Sequence, residues 1–339
     1  MSVMLAAMGT RRRSAFPAHR FTPTAVGHQP VMVDELLTVL APRPGEFVLD
    51  ATLGAGGTAE AFLHHILPGG RVLAFDRDPA AVGRARERLG GYGDAFEAVI
   101  GRFSEAAEVL AARGVRPDVV VMDLGISSLQ LDDPARGFSF QQEGPLDMRM
   151  DPQSGGITAA DLLATMSEAE LADTLFQLGG EVHSRRIARA VVRQRQQGRI
   201  TTTTELAEIC RAAYPRRARQ ARLHPATKTF LALRIAVNDE LAEIERGIAS
   251  LVQLLRPGGR IGVISFHSSE DYLAKRSLHV LAQNCVCPPQ RPVCTCAHRA
   301  TLSLLNRKVI KPSAGEILRN PRARSARLRA GLRLPDPSP

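Results

Sequence analysis

The sequence predicts an α/β fold, a doubly wound and mostly parallel sheet interrupted by an inserted all-helical domain. Three observations carry that prediction. Short apolar runs alternate with helical patterns between residues 47 and 122. Residues 130–225 then show no strand pattern, only Gly/Pro/Asp-rich loops followed by helical spacing. The strand and helix rhythm returns from residue 230 onward.

Residues 1–27 hold Pro, Arg and Gly without periodicity and are expected to form a mobile basic arm. Residues 31–40 make a short amphipathic helix, stopped by Pro42 and Pro44. Phe47-Val-Leu-Asp50 is a buried strand that runs into Gly54, Gly56 and Gly57. A helix over 58–67 ends at Pro68-Gly69-Gly70. A second strand over 71–75 ends on Asp76, and the helix over 79–89 has proline at its start. Residues 96–100 form a third strand, 104–113 a third helix, and 118–122 a fourth strand ending on Asp123. Helical patterns follow near 159–164, 168–178, 184–196 and 204–213. Apolar residues from Phe230 to Leu255 then recur three or four apart, which predicts one continuous helix closed by Pro257-Gly258-Gly259. Residues 261–266 are the fifth strand. The division that follows is an arm (1–27), an α/β domain (28–134 and 226–330), an inserted helical domain (135–225) and a flexible tail (331–339).

The 339 residues comprise 44% apolar and 23% charged residues, a globular composition. No apolar run approaches the roughly eighteen residues of a membrane span. The apolar stretch 3–8 precedes Arg11–Arg13, the reverse of a secretory signal, so a soluble cytoplasmic protein is expected. The net charge of +10 is unevenly spread. Residues 1–29 carry +4, residues 183–228 carry +10 and residues 299–339 carry +8, leaving −12 for the remainder. Basic segments on an acidic body point to a polynucleotide partner. Arg216, Arg217, Arg219 and Lys228 in the second segment, with Arg322 and Arg324 in the third, are the expected backbone grips. Composition bias competes, because 40 of the 44 basic residues are Arg.

Cys285, Cys287, Cys294 and Cys296 cluster ahead of His298. Four thiolates at that spacing could hold zinc. The C-x-C pairing is less usual than C-x₂-C, so reduced thiols without a metal are expected, and a cytoplasmic setting disfavours a disulfide.

The turn Gly54-Ala-Gly56-Gly57-Thr58-Ala59 lies between a strand and a helix, where glycines let backbone approach a ligand. Asp76 stands 22 residues beyond Gly54, close to the spacing of a ribose-binding acid. The pattern fits a dinucleotide site in its G-x-G-x-x-A form. It fits equally an S-adenosylmethionine site, in which Asp50 meets the amino-acid end of the cofactor.

Longer motifs separate the two. They include Asp50-Ala-Thr-Leu-Gly-Ala-Gly-Gly57, Phe75-Asp-Arg-Asp-Pro79 and Asp123-Leu-Gly-Ile-Ser-Ser-Leu-Gln-Leu-Asp-Asp133. Gly144-Pro-Leu-Asp-Met-Arg-Met-Asp151, His224-Pro-Ala-Thr-Lys-Thr-Phe230, Arg234-Ile-Ala-Val-Asn-Asp-Glu-Leu241, Ser265-Phe-His-Ser-Ser-Glu-Asp271 and Asn320-Pro-Arg-Ala-Arg-Ser325 follow in order. From about residue 28 to residue 330 the chain closely resembles the RsmH/MraW family, bacterial 16S rRNA cytosine-N4 methyltransferases. The resemblance implies a class I S-adenosylmethionine-dependent methyltransferase fold with an inserted domain. It implies methylation of a cytosine in the decoding region, the P site, of 16S rRNA. It carries cofactor contacts to Gly56, Gly57, Thr58, Asp76, Phe103, Asp123 and Gln130. Thr58 stands where many members have His, and Ala51 where many have Gly.

A cytosine N4 lone pair is delocalised into the ring, so an acceptor on its N–H aids transfer. Asp123, at the end of the fourth strand, is the expected acceptor or cofactor orienter, with Asp147, His267 and Ser268 near the target base. Pairing of Asp147 with Arg149 or Arg136, and a structural role for His267 at a strand end, compete with that assignment. The aromatic that usually stacks the target base at this position is missing; Phe138, Phe140 or His267 are the candidate replacements. A nicotinamide oxidoreductase, a non-catalytic rRNA-binding assembly factor, and a methyltransferase acting on DNA or protein are the rival readings. The sequence leaves open a homodimer and whether the substrate is naked rRNA or the small ribosomal subunit.

Overall fold

The structure, a computed structural model, describes residues 30–216, 223–291 and 293–336. The expected 1–27 arm, Arg217 and Arg219 lie outside the described residues. Seven strands form one sheet: β1 (Phe47–Asp50), β2 (Arg71–Asp76), β3 (Phe96–Ile100), β4 (Val119–Asp123), β5 (Arg260–Ser265), β6 (Leu302–Leu304) and β7 (Arg327–Arg333). Their order is β3-β2-β1-β4-β5-β7-β6. The first five are parallel, and β7 runs antiparallel to both of its neighbours.

The parallel strands are buried on both faces, and alternate residues enter two separate cores. Val48, Val72, Val119 and Val121 pack toward α1 (Val33–Leu40), α2 (Gly57–Ile66) and α3 (Pro79–Leu89). Leu49, Leu73, Val120 and Met122 pack toward α4 (Ala106–Ala112), α11 (Glu240–Leu254) and α12 (Ser268–Leu281). The predicted strands and helices of residues 47–123 are all present, most within one residue of their expected ends.

After β4 the chain makes α5 (Ser128–Asp132) and then a helical unit: α6 (Ala159–Thr165), α7 (Glu168–Gly179), α8 (Ser184–Arg195), α9 (Thr203–Ala213) and α10 (Thr227–Asn238). The starts of α6, α7 and α9 follow from sequence. The Thr158, Ser167 and Thr202 hydroxyls each accept the amide three residues on. This unit has its own core, from Phe138 and Leu146 through Leu171 and Ile187 to Phe230 and Leu233.

Three expectations need correction. The continuous helix over 230–255 is broken: α10 stops at Asn238, Asp239 adopts φ +52°, and α11 begins at Glu240. The break is held by the Asn238 amide, which donates to Met148 O and Arg234 O while its Oδ1 accepts from Met150 N–H. Because Phe230 and Leu233 pack in the helical core, the helical unit extends to residue 238 and not 225. The expected flexible tail is also shorter, since residues 331–333 belong to β7, and Arg333 donates to Thr301 O. The last helix, α13 (Ala314–Arg319), leads into β7 and ties the C-terminal segment to the N-terminal one: Glu316 Oε1 accepts from Met32 N–H at 2.6 Å.

Candidate active site

The parallel strands place Asp50, Asp76 and Asp123 together at their C-terminal edge, at the point where the strand order reverses between β1 and β4. Crevices at such a switch point are where open α/β sheets bind ligands. A cavity of about 1020 Å³ opens there, between the sheet edge, the glycine turn, the helical unit and the C-terminal segment. That volume suits a nucleotide-sized ligand.

The glycine turn is built by conformations only glycine adopts readily. Gly54 has φ +52° and Gly56 φ +80°. Gly56 N–H closes the turn on Leu53 O at 2.9 Å, and α2 starts without a side-chain cap. Its first amides therefore have no partner within the helix. At Gly57 any Cβ would stand 3.1 Å from the Pro30 ring. The turn is fixed from the next strand, since Gly54 N–H donates to Asp76 Oδ2 at 2.8 Å and Asp78 N–H to Asp76 Oδ1 at 2.9 Å.

Three carboxylates share this edge, and among the described residues none of them is in an ion pair. Burial pushes Asp123 up to about 8, helped by the charges of Asp50, Glu270 and Glu316. Burial likewise raises Asp50 to about 7 and Asp76 to about 6. Among the described residues, Asp123 Oδ1 and Asp50 Oδ2 have no hydrogen-bond partner. Asp123 lines the cavity, with its backbone N–H held by Thr52 Oγ1. The edge is thus suited to a ligand that brings positive charge and hydroxyl donors.

Of the expected cofactor residues, Gly54, Gly57, Thr58 and Asp76 line the cavity on one side. Phe103, Asp123 and Gln130 line it on the others. Asp50 and Gly56 do not. Asp50 lies behind the wall, buried, with Oδ1 accepting from Thr52 N–H, so it acts on the site through its field and not by contact. Gln130 is engaged in holding the wall. Its Oε1 accepts from Ser127 N–H, and its amide donates to Asp78 Oδ2 at 2.8 Å. Phe103 sits in a short turn clamped by Glu243, which accepts from Ser104 N–H and Oγ, both at 3.0 Å. A Cβ at Gly247 would lie 2.2 Å from the Phe103 ring, so α11 needs glycine there.

The expected catalytic group divides. Asp123 faces the cavity; Asp147, His267 and Ser268 do not line it. Asp147 is held by Arg149 in a two-pronged pair at 2.6 and 2.8 Å, and the guanidinium keeps its carboxyl below the usual range. His267 caps α12, its Nδ1 accepting from Glu270 N–H, and its Nε2 lies 2.9 Å from Glu270 Oε1. Ser268 is exposed on the first turn of α12. None of the three candidate aromatics, Phe138, Phe140 and His267, lines the cavity. Phe138 is buried in the helical core and Phe140 packs on His224 and Phe230, whereas Phe266 lines the cavity next to Gly125.

Sequence reasoning assigned no role to Asp78, Arg234, Glu240 or Glu270, although all fall within the quoted motifs. Arg234 lines the cavity and donates to both Glu240 oxygens at 2.8 and 2.9 Å, with Glu270 3.5 Å away. No sequence signal marks Arg234, because its burial between Glu240 and Glu270 is set by tertiary packing.

The basic segments are partly engaged within the fold. Arg327 and Arg329 pair with Asp271, Arg333 with Asp336, and Arg322 with Asp132 at the cavity. Lys228 Nζ donates to Gly180 O at the end of α7. Arg216 and Arg324 are exposed. Among the described residues no helix is long and apolar enough to cross a membrane.

The chain matches the MraW methylase family over residues 25–333. Ribosomal RNA small subunit methyltransferase H of Thermomicrobium roseum is 49% identical over 314 residues, covering 92% of this chain and 95% of that protein. The protein of the same name from Geobacter sulfurreducens is 48% identical, covering 91% of this chain and 99% of its own. That of Trichlorobacter lovleyi is 46% identical, covering 91% and 98%. Over nearly its whole length the chain, with its mostly parallel seven-stranded sheet, belongs to the MraW methylase family.

Proposed function

We propose that the protein transfers a methyl group from S-adenosylmethionine to the exocyclic N4 amine of a cytosine in the decoding region of 16S rRNA, acting in the cytoplasm on the small ribosomal subunit. The observation that supports this best is Asp123, a carboxylate that lines the cavity beside the glycine turn and whose buried Oδ1 has no partner among the described residues. Family membership and the names of the relatives support the rRNA substrate.

The cavity residues fit the cofactor. The free amides at the head of α2 and the glycine turn suit its polar end, and Asp76 has lone pairs left for a ribose hydroxyl. Phe103 offers a face for the adenine, and the field of Asp50 and Asp123 favours its positive charges. When bound, S-adenosylmethionine supplies an electrophilic methyl on a sulfonium.

The Asp123 carboxylate accepts a hydrogen bond from the cytosine amine, which localises the lone pair toward the methyl. As the N–C bond forms and the sulfur–methyl bond breaks, the nitrogen becomes acidic, and the Asp123 carboxylate, ionised beside the cationic cofactor, takes its proton. Phe266 stacks the base. Such an amine is reachable only in an unpaired or splayed nucleotide. The helical unit and the C-terminal segment grip the RNA backbone, through Arg216 and Arg324 and the neighbouring Arg217 and Arg219. The test is transfer of labelled methyl to purified small subunits and to naked 16S rRNA. Label on the subunit RNA is expected; RNA binding without transfer would leave only an assembly role.

A further inference from the structure

The loop between α12 and β6 lies away from the cavity. The cavity is at the Ser265 end of β5, whereas Leu302 of β6 pairs with Arg333, next to the Leu332 that faces Arg260 at the other end. The function proposed above uses nothing in this loop, which holds four of the five cysteines.

The sulfur atoms of Cys285, Cys287, Cys294 and Cys296 all lie within 4.8 Å of one another. Cys294 Sγ is 3.6 Å from Cys296 Sγ, which is 3.8 Å from Cys285 Sγ. A disulfide requires about 2.05 Å, so these are separate thiols. A tetrahedron with metal–sulfur bonds of about 2.3 Å has edges of about 3.8 Å. The sulfurs also receive backbone donors. Cys287 N–H points to Cys285 Sγ at 3.4 Å, Thr295 N–H to Cys287 Sγ at 3.5 Å and Val286 N–H to Cys296 Sγ at 3.5 Å. Donors aimed at sulfur favour the charged, ligating form and fix its direction.

Among the described residues the loop has no apolar core of its own. Core packing stops at Leu281 and resumes at Leu302, and Val286 and Val293 are 44% and 69% exposed. Its ends are pinned by Thr301 N–H on Leu281 O and Ala300 N–H on Asn284 Oδ1, and within it Arg291 makes short-range bonds, its N–H to Pro288 O and its guanidinium to Thr295 Oγ1. A metal that forms with the fold supplies what an absent core does not. His298 is engaged with Val280 O at 2.9 Å and is not needed as a ligand.

We propose that Cys285, Cys287, Cys294 and Cys296 bind one zinc ion as four thiolates and so close this loop. Four thiols lose their protons to solvent and four zinc–sulfur bonds form, with no change of oxidation state. All four positions are protein ligands, which makes the site structural, with no open position for water or substrate. Soft sulfur donors exclude magnesium and calcium. The C-x-C spacing that argued against a metal in the sequence is offset by the chain reversal between Cys287 and Cys294, which brings the two pairs together.

The test is the metal content of the full-length protein, grown with zinc, purified under reducing conditions and desalted. About one zinc per chain is expected, and almost none in a Cys294→Ser/Cys296→Ser variant. Because that variant can fail to fold, the wild type is also titrated with a mercurial, which should release zinc to a chromogenic chelator in step with thiol modification. Cobalt(II) added to the demetallated protein should give sulfur-to-cobalt charge-transfer absorption. Affinity for S-adenosylmethionine should be unmoved by the loss of metal. Wild-type protein that carries no stoichiometric zinc and gives no cobalt–thiolate band overturns the proposal, as does iron in place of zinc or a disulfide formed under these conditions.

Discussion

The Arg136 guanidinium donates to Asp78 Oδ2 at 2.6 Å, joining the helical unit to the head of α3 beside the glycine turn. The same oxygen accepts the Gln130 amide at 2.8 Å, and Arg136 also donates to Met150 O and Arg149 O. Asp78 Oδ1 caps α3 through Ala80 N–H. Replacing Asp78 by Ala removes the cap, a loss of about 1 kcal/mol. It also leaves a guanidinium only 14% exposed without its carboxylate. Breaking such a pair costs about 3–5 kcal/mol. Urea unfolding should show a loss in that range; a variant within 1 kcal/mol of wild type would mean, roughly, that the two units are joined elsewhere.

Gly247→Ala tests the adenine wall. The added methyl would lie 2.2 Å from the Phe103 ring and must displace it. Overpacking of this kind costs about 1–3 kcal/mol of stability. Calorimetry should find S-adenosylmethionine bound about tenfold more weakly, equal to about 1.4 kcal/mol. Unchanged affinity would remove Phe103 from the binding site.

The three edge carboxylates predict a pH dependence of definite sign. Asp76, Asp50 and Asp123 are raised to about 6, 7 and 8. In the ligand-free fold they keep protons that the unfolded chain has released. Their contribution to stability is full below the ordinary carboxylate pKa near 4 and is lost as pH rises toward about 8. A cationic ligand favours the ionised forms. S-adenosylmethionine should therefore bind more tightly from pH 6 to pH 8 and release protons on binding, which titration in buffers of different ionisation heat measures. Proton uptake, or affinity that falls over this window, would contradict the assignment.

Charge reversal separates RNA contacts from structural pairs. Arg216→Glu and Arg324→Glu, both at exposed positions, should weaken rRNA binding and reduce its salt slope by about one for each phosphate no longer gripped. Arg329→Glu, whose guanidinium holds Asp271 at 2.7 Å, should instead destabilise the fold. An unchanged salt slope in the first two would move the RNA path elsewhere.

The half of the sheet built from β1 to β4 was legible because apolar runs there are bounded by Gly, Pro and Asp. The strand β7 was hidden because Arg327, Leu328, Arg329 and Ala330 alternate within what reads as a basic tail. Its arginines are tolerated because Asp271 on α12 meets two of them. The break at Asp239 was illegible because apolar spacing continues across it, and only the distant Met148 and Met150 backbone partners of Asn238 account for it. Glycine-turn residues and Asp123 could be read from their positions at strand ends. Asp147 and His267 could not be placed, since a motif names residues without saying which of them face the cavity.

The most direct test of the central claim uses small subunits that lack the modification, incubated with the protein and methyl-labelled S-adenosylmethionine, then digested to nucleosides. The account predicts label in N4-methylcytidine at one decoding-region site of 16S rRNA, with Asp123→Asn about 100-fold slower or more at saturating cofactor. Label in another nucleoside or in protein, or full transfer by Asp123→Asn, would contradict it.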